Sequence, residues 1–188
     1  MLLGAFFGAV LGFVQLTVEN QVVAKYSPEC QRSILYTVGI ETEESSESEV
    51  SRLFRQHFKE KKSMDHEYLI FIKNGEIAGY CFPFSGKGMW GTIDGYLAVD
   101  QKLDQIMGVA FTEMLETPGL GARIMEVEFT DQFRSIDITG QKVYISIDNG
   151  DGNGIDSISG ATLTVDAVVQ TLNEAIDEIK LIGKEGLK

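Results

Sequence analysis

Tyr68-Leu69-Ile70-Phe71-Ile72-Lys73-Asn74-Gly75-Glu76-Ile77-Ala78-Gly79-Tyr80-Cys81-Phe82-Pro83-Phe84 is the stretch that decides the fold of this chain. Two runs rich in β-branched and aromatic residues, Tyr68 to Ile72 and Ile77 to Phe84, flank Asn74-Gly75. Asn and Gly both accept positive φ, so the pair reads as a hairpin turn and the runs as antiparallel strands. Further strands are expected over Gly95 to Val99 and over 105–112, 124–129 and 142–147. The segment from about 163 to 182 is the best helix in the chain. Leu163, Ala167, Val168, Leu172, Ile176 and Ile179 form its apolar stripe, with Glu174, Asp177, Glu178 and Lys180 off it. The expected class is α+β, a mostly antiparallel sheet with packed helices.

Upstream, Glu41 to Glu49 is an acidic, serine-rich run that should be solvated. It leads into an expected helix over about 48–62, with Val50, Leu53, Phe54 and Phe58 on one face. Residues 19–40, with Pro28 in the middle, read as a connector. Met1 to Val18 contains no charged residue. As a helix it would span about 27 Å, close to a bilayer core. Gly4, Gly8 and Gly12 recur every fourth residue, as on the small-xxx-small faces of membrane helices. A secretory signal peptide would carry a positive n-region and a small-x-small cleavage site, and neither is evident. The expected organisation is therefore a transmembrane anchor over 1–18, a connector, acidic linker and helix over 19–64, and a ligand-binding domain over 65–188. Lys25 is the only cation near the anchor, so charge does not set its orientation.

Composition narrows the function. With 188 residues, 44% hydrophobic and 23% charged, the chain can build one domain with a sizeable core plus an appendage. A net charge of −12 argues against a nucleic-acid partner, because there is no basic surface to release counterions. Cys30 and Cys81 are the only cysteines, without ligand-like spacing, and structural zinc or an iron–sulfur cluster needs about four ligands. A disulfide between them is left open. Asp148 to Asp156 has calcium-loop composition, but glycines fall on ligand positions and no Glu closes it, so it reads as a turn and no metal is expected. There is no Rossmann fingerprint, P-loop or catalytic triad, and no catalytic residue is expected in this chain.

Three segments have turn chemistry suited to a ligand. In Asp156-Ser157-Ile158-Ser159-Gly160-Ala161-Thr162, a hydroxyl follows Ser-Gly-Ala where the long helix begins. There the backbone can approach an anion closely and the first free N–H groups of the helix point at it. The plainer reading is a helix cap built from Asp, Ser or Thr. Gly86-Lys87-Gly88-Met89-Trp90-Gly91 presents the only tryptophan on a glycine-rich connection. In Glu116-Thr117-Pro118-Gly119-Leu120-Gly121, Pro-Gly favours a type II turn against which a flat ring can lie.

Together these segments resemble the FMN-binding-domain family. Asp156 to Thr162 fills every fixed position of its Asp-x-x-(Ser/Thr)-Gly-Ala-(Thr/Ser) flavinylation motif, and Glu116 to Gly121 reads as its Glu-Thr-Pro-Gly-Leu-Gly signature. Gly86 to Trp90, with the strand Gly95 to Asp100, is similar to its Gly-x-Gly-(Leu/Met)-Trp element. In order and spacing the chain looks like the C component of the Na+-translocating NADH:quinone oxidoreductase and the G component of the Rnf electron transport complex.

The resemblance implies covalent FMN on Thr162 through a phosphoester. Ser159, Gly160 and Ala161 would shape the loop, and the amides from Leu163 and Thr164 onward would offset phosphate charge. Glu116, Thr117, Gly119, Leu120 and Gly121 would border the ring, with Trp90 stacked on it or covering its edge. It also implies integral membrane redox subunits as partners, a flavin transferase during maturation, and a single-pass protein with its domain outside the cytoplasm. The leading reading is an electron-carrier subunit of an ion-translocating redox complex. Two others stand beside it: a stand-alone anchored flavoprotein of extracellular electron transfer, and a cofactor-free anchored module.

Overall fold

The computed structural model describes residues 25–63, 66–114, 116–140, 143–147 and 154–187. Asn74 and Gly75 take φ of 55° and 82°, the paired left-handed geometry of a type I′ turn, and join β2 (His66–Lys73) to β3 (Glu76–Lys87). β1 (Phe58–Ser63), β4 (Thr92–Asp100) and β5 (Ile106–Met114) complete an antiparallel meander in the order β1-β2-β3-β4-β5. The α+β reading therefore holds, with a mostly antiparallel five-stranded sheet. Residues 1–18 lie outside the described residues, and among the latter no helix is long and apolar enough to cross a membrane.

Alternate residues of β2 and β3 bury on opposite sides. Tyr68, Ile70, Tyr80, Phe82 and Phe84 face one apolar cluster, and Leu69, Phe71 and Cys81 face another. Burial on both faces explains why these strands read as nearly continuous apolar runs. The second face is covered by α1 (Pro28–Thr37) and α2 (Glu47–His57), which contribute Ile34, Leu35, Val50 and Phe54, all fully buried. Each such side chain contributes roughly 1.5–3 kcal/mol on leaving water. Cys30 and Cys81 sit in this layer as free thiols. Burial pushes Cys81 from an ordinary 9.0 up to about 12.

Four local expectations are corrected. The 19–40 connector contains α1, because Pro28 opens a helix rather than breaking one, with Ser27 as its N-cap. The helix expected to 62 stops at His57. Phe58 turns extended (φ −123°, ψ 138°) and starts β1, paired from Phe58↔Phe71 to Ser63↔His66. The strand expected over 124–129 is instead a 3₁₀ turn (Gly121–Met125) and the short helix α3 (Val127–Thr130). Hydrogen bonds three and four residues apart close that stretch, as in Phe129 N–H to Glu126 O at 3.0 Å. Of the strand expected over 142–147, the described residues 143–147 form strand only at Ser146–Ile147 (β6), paired in parallel with β7 (Gly154–Ile155).

The long helix α4 spans Thr162–Gly186 and covers the first face. Val165, Val168, Leu172, Ile176 and Ile179 recur at three- and four-residue steps and pack on the sheet. Leu163, expected on that stripe, is instead 61% exposed at the start of the helix. Asn173 holds 144–145 like a partner strand, accepting from the Tyr144 N–H at 2.8 Å and donating to Ile145 O at 2.9 Å. The end of α4 that carries the motif thus stands at the rim of a fixed layer.

Candidate functional site

Among the described residues, the three helices longer than one turn begin in two different ways. Ser27 (φ −60°, ψ 157°) accepts from the Cys30 N–H at 3.2 Å, and Ser46 (φ −66°, ψ 158°) accepts from the Glu49 N–H at 3.3 Å. Both are side-chain caps on an extended residue. At α4 the N-cap is Ala161, with φ −128° and ψ 25°, and no side chain caps the helix. The capping alternative for Asp156 to Thr162 is therefore not what the structure shows. The first-turn amides, which have no partner within a helix, are left for something else.

A turn delivers the chain into that open end. The Ala161 N–H donates to Ile158 O at 2.9 Å, and Gly160 between them has φ 80°. This is a type II pattern, for which glycine is the ready residue. The Glu116–Gly121 segment makes the same turn, with Leu120 N–H to Thr117 O at 3.2 Å and Gly119 at φ 75°. The two turns touch: a Cβ on Gly160 would lie 3.0 Å from Leu120 Cδ2. The third turn, at the end of β3, is closed by the Gly88 N–H to Gly91 O at 2.7 Å.

One carboxylate joins all three. Glu116 is 8% exposed. Its Oε1 accepts the Trp90 N–H at 3.2 Å and its Oε2 accepts the Thr164 hydroxyl at 2.9 Å. A Cβ on Gly88 would come 2.4 Å from Oε1, and one on Gly121 would come 2.9 Å from Oε2. Both glycines are thus needed for the carboxylate to sit between their segments.

The turns enclose a cavity of about 410 Å³, within the ~300–1,000 Å³ range of small-molecule sites. Of the residues expected from sequence, Trp90, Glu116, Thr117, Leu120, Gly121 and Gly160 to Thr164 line it. Gly119 and Ser159 shape adjoining turns without lining it. Thr162 is exposed, while Thr164 two residues on is buried. Met89, half exposed on the tryptophan turn, also lines the cavity and lies outside the residues expected there. A large apolar side chain beside Trp90 on a glycine turn is its one sequence signal. Gln132 gives no such signal: its Oε1 accepts the Asp156 N–H at 2.6 Å and steadies the approach to the motif.

These residues fit FMN: an exposed hydroxyl beside an uncapped helix start suits a phosphate, and Trp90, Leu120 and Leu163 offer apolar surface to a flat ring. A larger hollow of about 600 Å³ lies between α4 and the β3–β4 strands, where His66 meets Glu178. It holds none of the motif residues, so the candidate site is the smaller one. Among the described residues no group of His, Cys, Asp or Glu is placed to hold a metal ion.

Residues 88–177, just under half of the chain, match the family model described as FMN-binding domain. The chain is also similar to curated proteins. Over 127 residues it is 33% identical to the C component of the Na(+)-translocating NADH-quinone reductase of Chlamydia pneumoniae, covering 53% of this chain and 38% of that protein. Over 113 residues it is 33% identical to the same component from Pasteurella multocida, covering 54% and 41%. The chain thus spans about two fifths of the length of these curated relatives. The crystal structure of the C component from Parabacteroides distasonis superposes with a TM-score of 0.67 at 25% identity, over 89% of this chain and 95% of that one. Shewanella oneidensis NqrC shares the fold, with a TM-score of 0.69 at 20% identity over 81% and 93%.

Proposed function

We propose that this chain is an FMN-carrying electron-transfer subunit of a Na+-translocating NADH-quinone reductase type of complex, with the flavin joined through its phosphate to Thr162. The observation that carries the reading is the uncapped start of α4, with an exposed threonine at its first position inside the walls of a ligand-sized cavity. The names of the relatives support this type of complex over the Rnf alternative.

Bound FMN supplies reversible electron transfer, and the protein's part is position and environment. The amides of Leu163 and Thr164 and the positive end of the α4 dipole offset the phosphate's negative charge. Trp90 and Leu120, exposed by 67% and 43%, would offer apolar surface to the ring. Because Thr162 itself projects outward, a flavin transferase can reach its hydroxyl without opening the domain. Membrane redox subunits are the proposed exchange partners, and residues 1–18 the proposed single-pass anchor, with the domain outside the cytoplasm.

Intact mass of the chain co-expressed with a flavin transferase, with in-gel flavin fluorescence, tests the proposal. One added FMN mapped to the Thr162 peptide is the expected result. A bare polypeptide, beside a control substrate that is modified, would overturn it.

A further inference from the structure

The Glu116 carboxylate stands out once the site is assembled. It is buried, and each of its oxygens is engaged by a neutral donor from a different segment, the Trp90 backbone N–H and the Thr164 hydroxyl. Among the described residues it has no ion-pair partner: the pairs that form are at Lys25, Arg52, His66, Arg123 and Arg134. Burying an acid costs desolvation, and these two donors from separate segments are what offsets it.

We propose that Glu116 is the positioning residue of the site: it latches the turn carrying Trp90 to the first turn of α4, and so holds the mouth through which Thr162 is loaded. This rests on the reading of Thr162 as the attachment residue. The latch works on both sides. Trp90 is 67% exposed and stands on a turn of Gly88 to Gly91 closed by its own hydrogen bond. A turn with that much glycine and so exposed a side chain has little burial to fix it, and the backbone tie to Oε1 supplies what burial does not. On the helix side, the Thr164 hydroxyl is spent on Oε2 at 2.9 Å, so it does not fold back onto the helix backbone. Of the two threonines in the first turn, Thr162 is then the one whose hydroxyl stays available. The missing side chains of Gly88 and Gly121 make room for the same carboxylate from opposite sides.

The geometry also says which replacement preserves the latch. A glutamine can accept the Trp90 N–H with its carbonyl oxygen while its amide donates to Thr164 Oγ1, because a hydroxyl both donates and accepts. An alanine can do neither.

Trp90 is the only tryptophan in the chain, so its fluorescence reads the latch in flavin-free protein. The full chain with Glu116→Ala, Glu116→Gln or Thr164→Val is compared with the unmodified sequence by far-UV circular dichroism, Trp90 anisotropy and acrylamide quenching. Loading by a flavin transferase with FAD is then followed by intact mass. For Glu116→Ala the expected result is unchanged secondary structure, quenching raised by about twofold and loading slowed by about tenfold or more. Glu116→Gln should restore both, and Thr164→Val should fall between. If Glu116→Ala does not fold, Thr164→Val carries the test, since it keeps the shape and removes one tie. Unchanged anisotropy and quenching in the folded variants would overturn the latch. Failure of the unmodified chain to take flavin would instead overturn the Thr162 reading, while the Trp90 comparison still decides the latch.

Discussion

The two faces of the sheet are finished in opposite ways. On one, α1 and α2 are each closed by a serine and bury Ile34, Leu35, Val50 and Phe54 completely. On the other, α4 packs as tightly through Val165, Val168, Leu172 and Ile176, yet begins at Ala161 with no cap and with Leu163 in solvent. A side-chain cap contributes about 1 kcal/mol. On α4, the longest of the described helices, that contribution is absent, as the proposed anion site requires. The closed face holds the sheet, and the open one presents a threonine.

The sharpest way to break this contrast is Thr162→Ala. Covalent flavin should disappear entirely by intact mass, while unfolding in urea stays within about 0.5 kcal/mol, as for other exposed positions. Covalent flavin in that variant would end the assignment. On the closed face, Phe54→Ala should cost about 3–5 kcal/mol in the same urea assay. Flavin loading per folded molecule should not change. Coupling of loading to Phe54 would show that the faces are not separate.

Cys81 gives the closed face a pH signature. Burial raises its thiol from 9.0 to about 12, so the folded state keeps a proton that the unfolded chain gives up. Its stabilising contribution is whole below pH 9 and is lost as pH climbs from there toward 12. The alkaline slope of stability should therefore be shallower in Cys81→Ala than in the unmodified chain. Equal slopes would mean the thiol is not shielded.

Smaller effects sharpen the comparison of helix starts. Ser27→Ala and Ser46→Ala should each cost about 1 kcal/mol. Ala161 is buried in the core, where an added hydroxyl costs about 1–3 kcal/mol, and Ala161→Ser should bring no capping gain to offset it. The reason is backbone geometry: at φ −128° and ψ 25° a serine at 161 does not point where Ser27 and Ser46 do. A gain as large as the losses at Ser27 and Ser46 would show that residue type, not backbone, keeps this end open.

Much of the fold and site is legible in the chain, and the exceptions share a cause. Asn74-Gly75 announces its own turn because only a few residues accept positive φ twice in succession. The Pro-Gly turn at 118–119 follows from the same local chemistry. β1 reads as helix because Phe58 to Ser63 is almost all polar, and an edge strand facing solvent has no alternation to show. Pro28 reads as a break although it opens α1, since a proline at the first helical position looks the same in sequence as one that stops a helix. Ile124 to Phe129 alternates like a strand, yet no ladder forms there and short-range hydrogen bonds close it instead.

By itself, then, the sequence determined what local chemistry can settle: the hairpin, the two glycine turns, the apolar period of α4, and Thr162 at the helix start. Tertiary structure alone decided what depends on distant partners. It set the faces that α1 and α2 cover, the exposure of Leu163, and the meeting of three turns separated by many residues on one buried carboxylate. The physical reason is range. Dihedral preferences and amphipathic period act within one element, whereas the Oε atoms of Glu116 find Trp90 and Thr164 only after the sheet has brought their elements together.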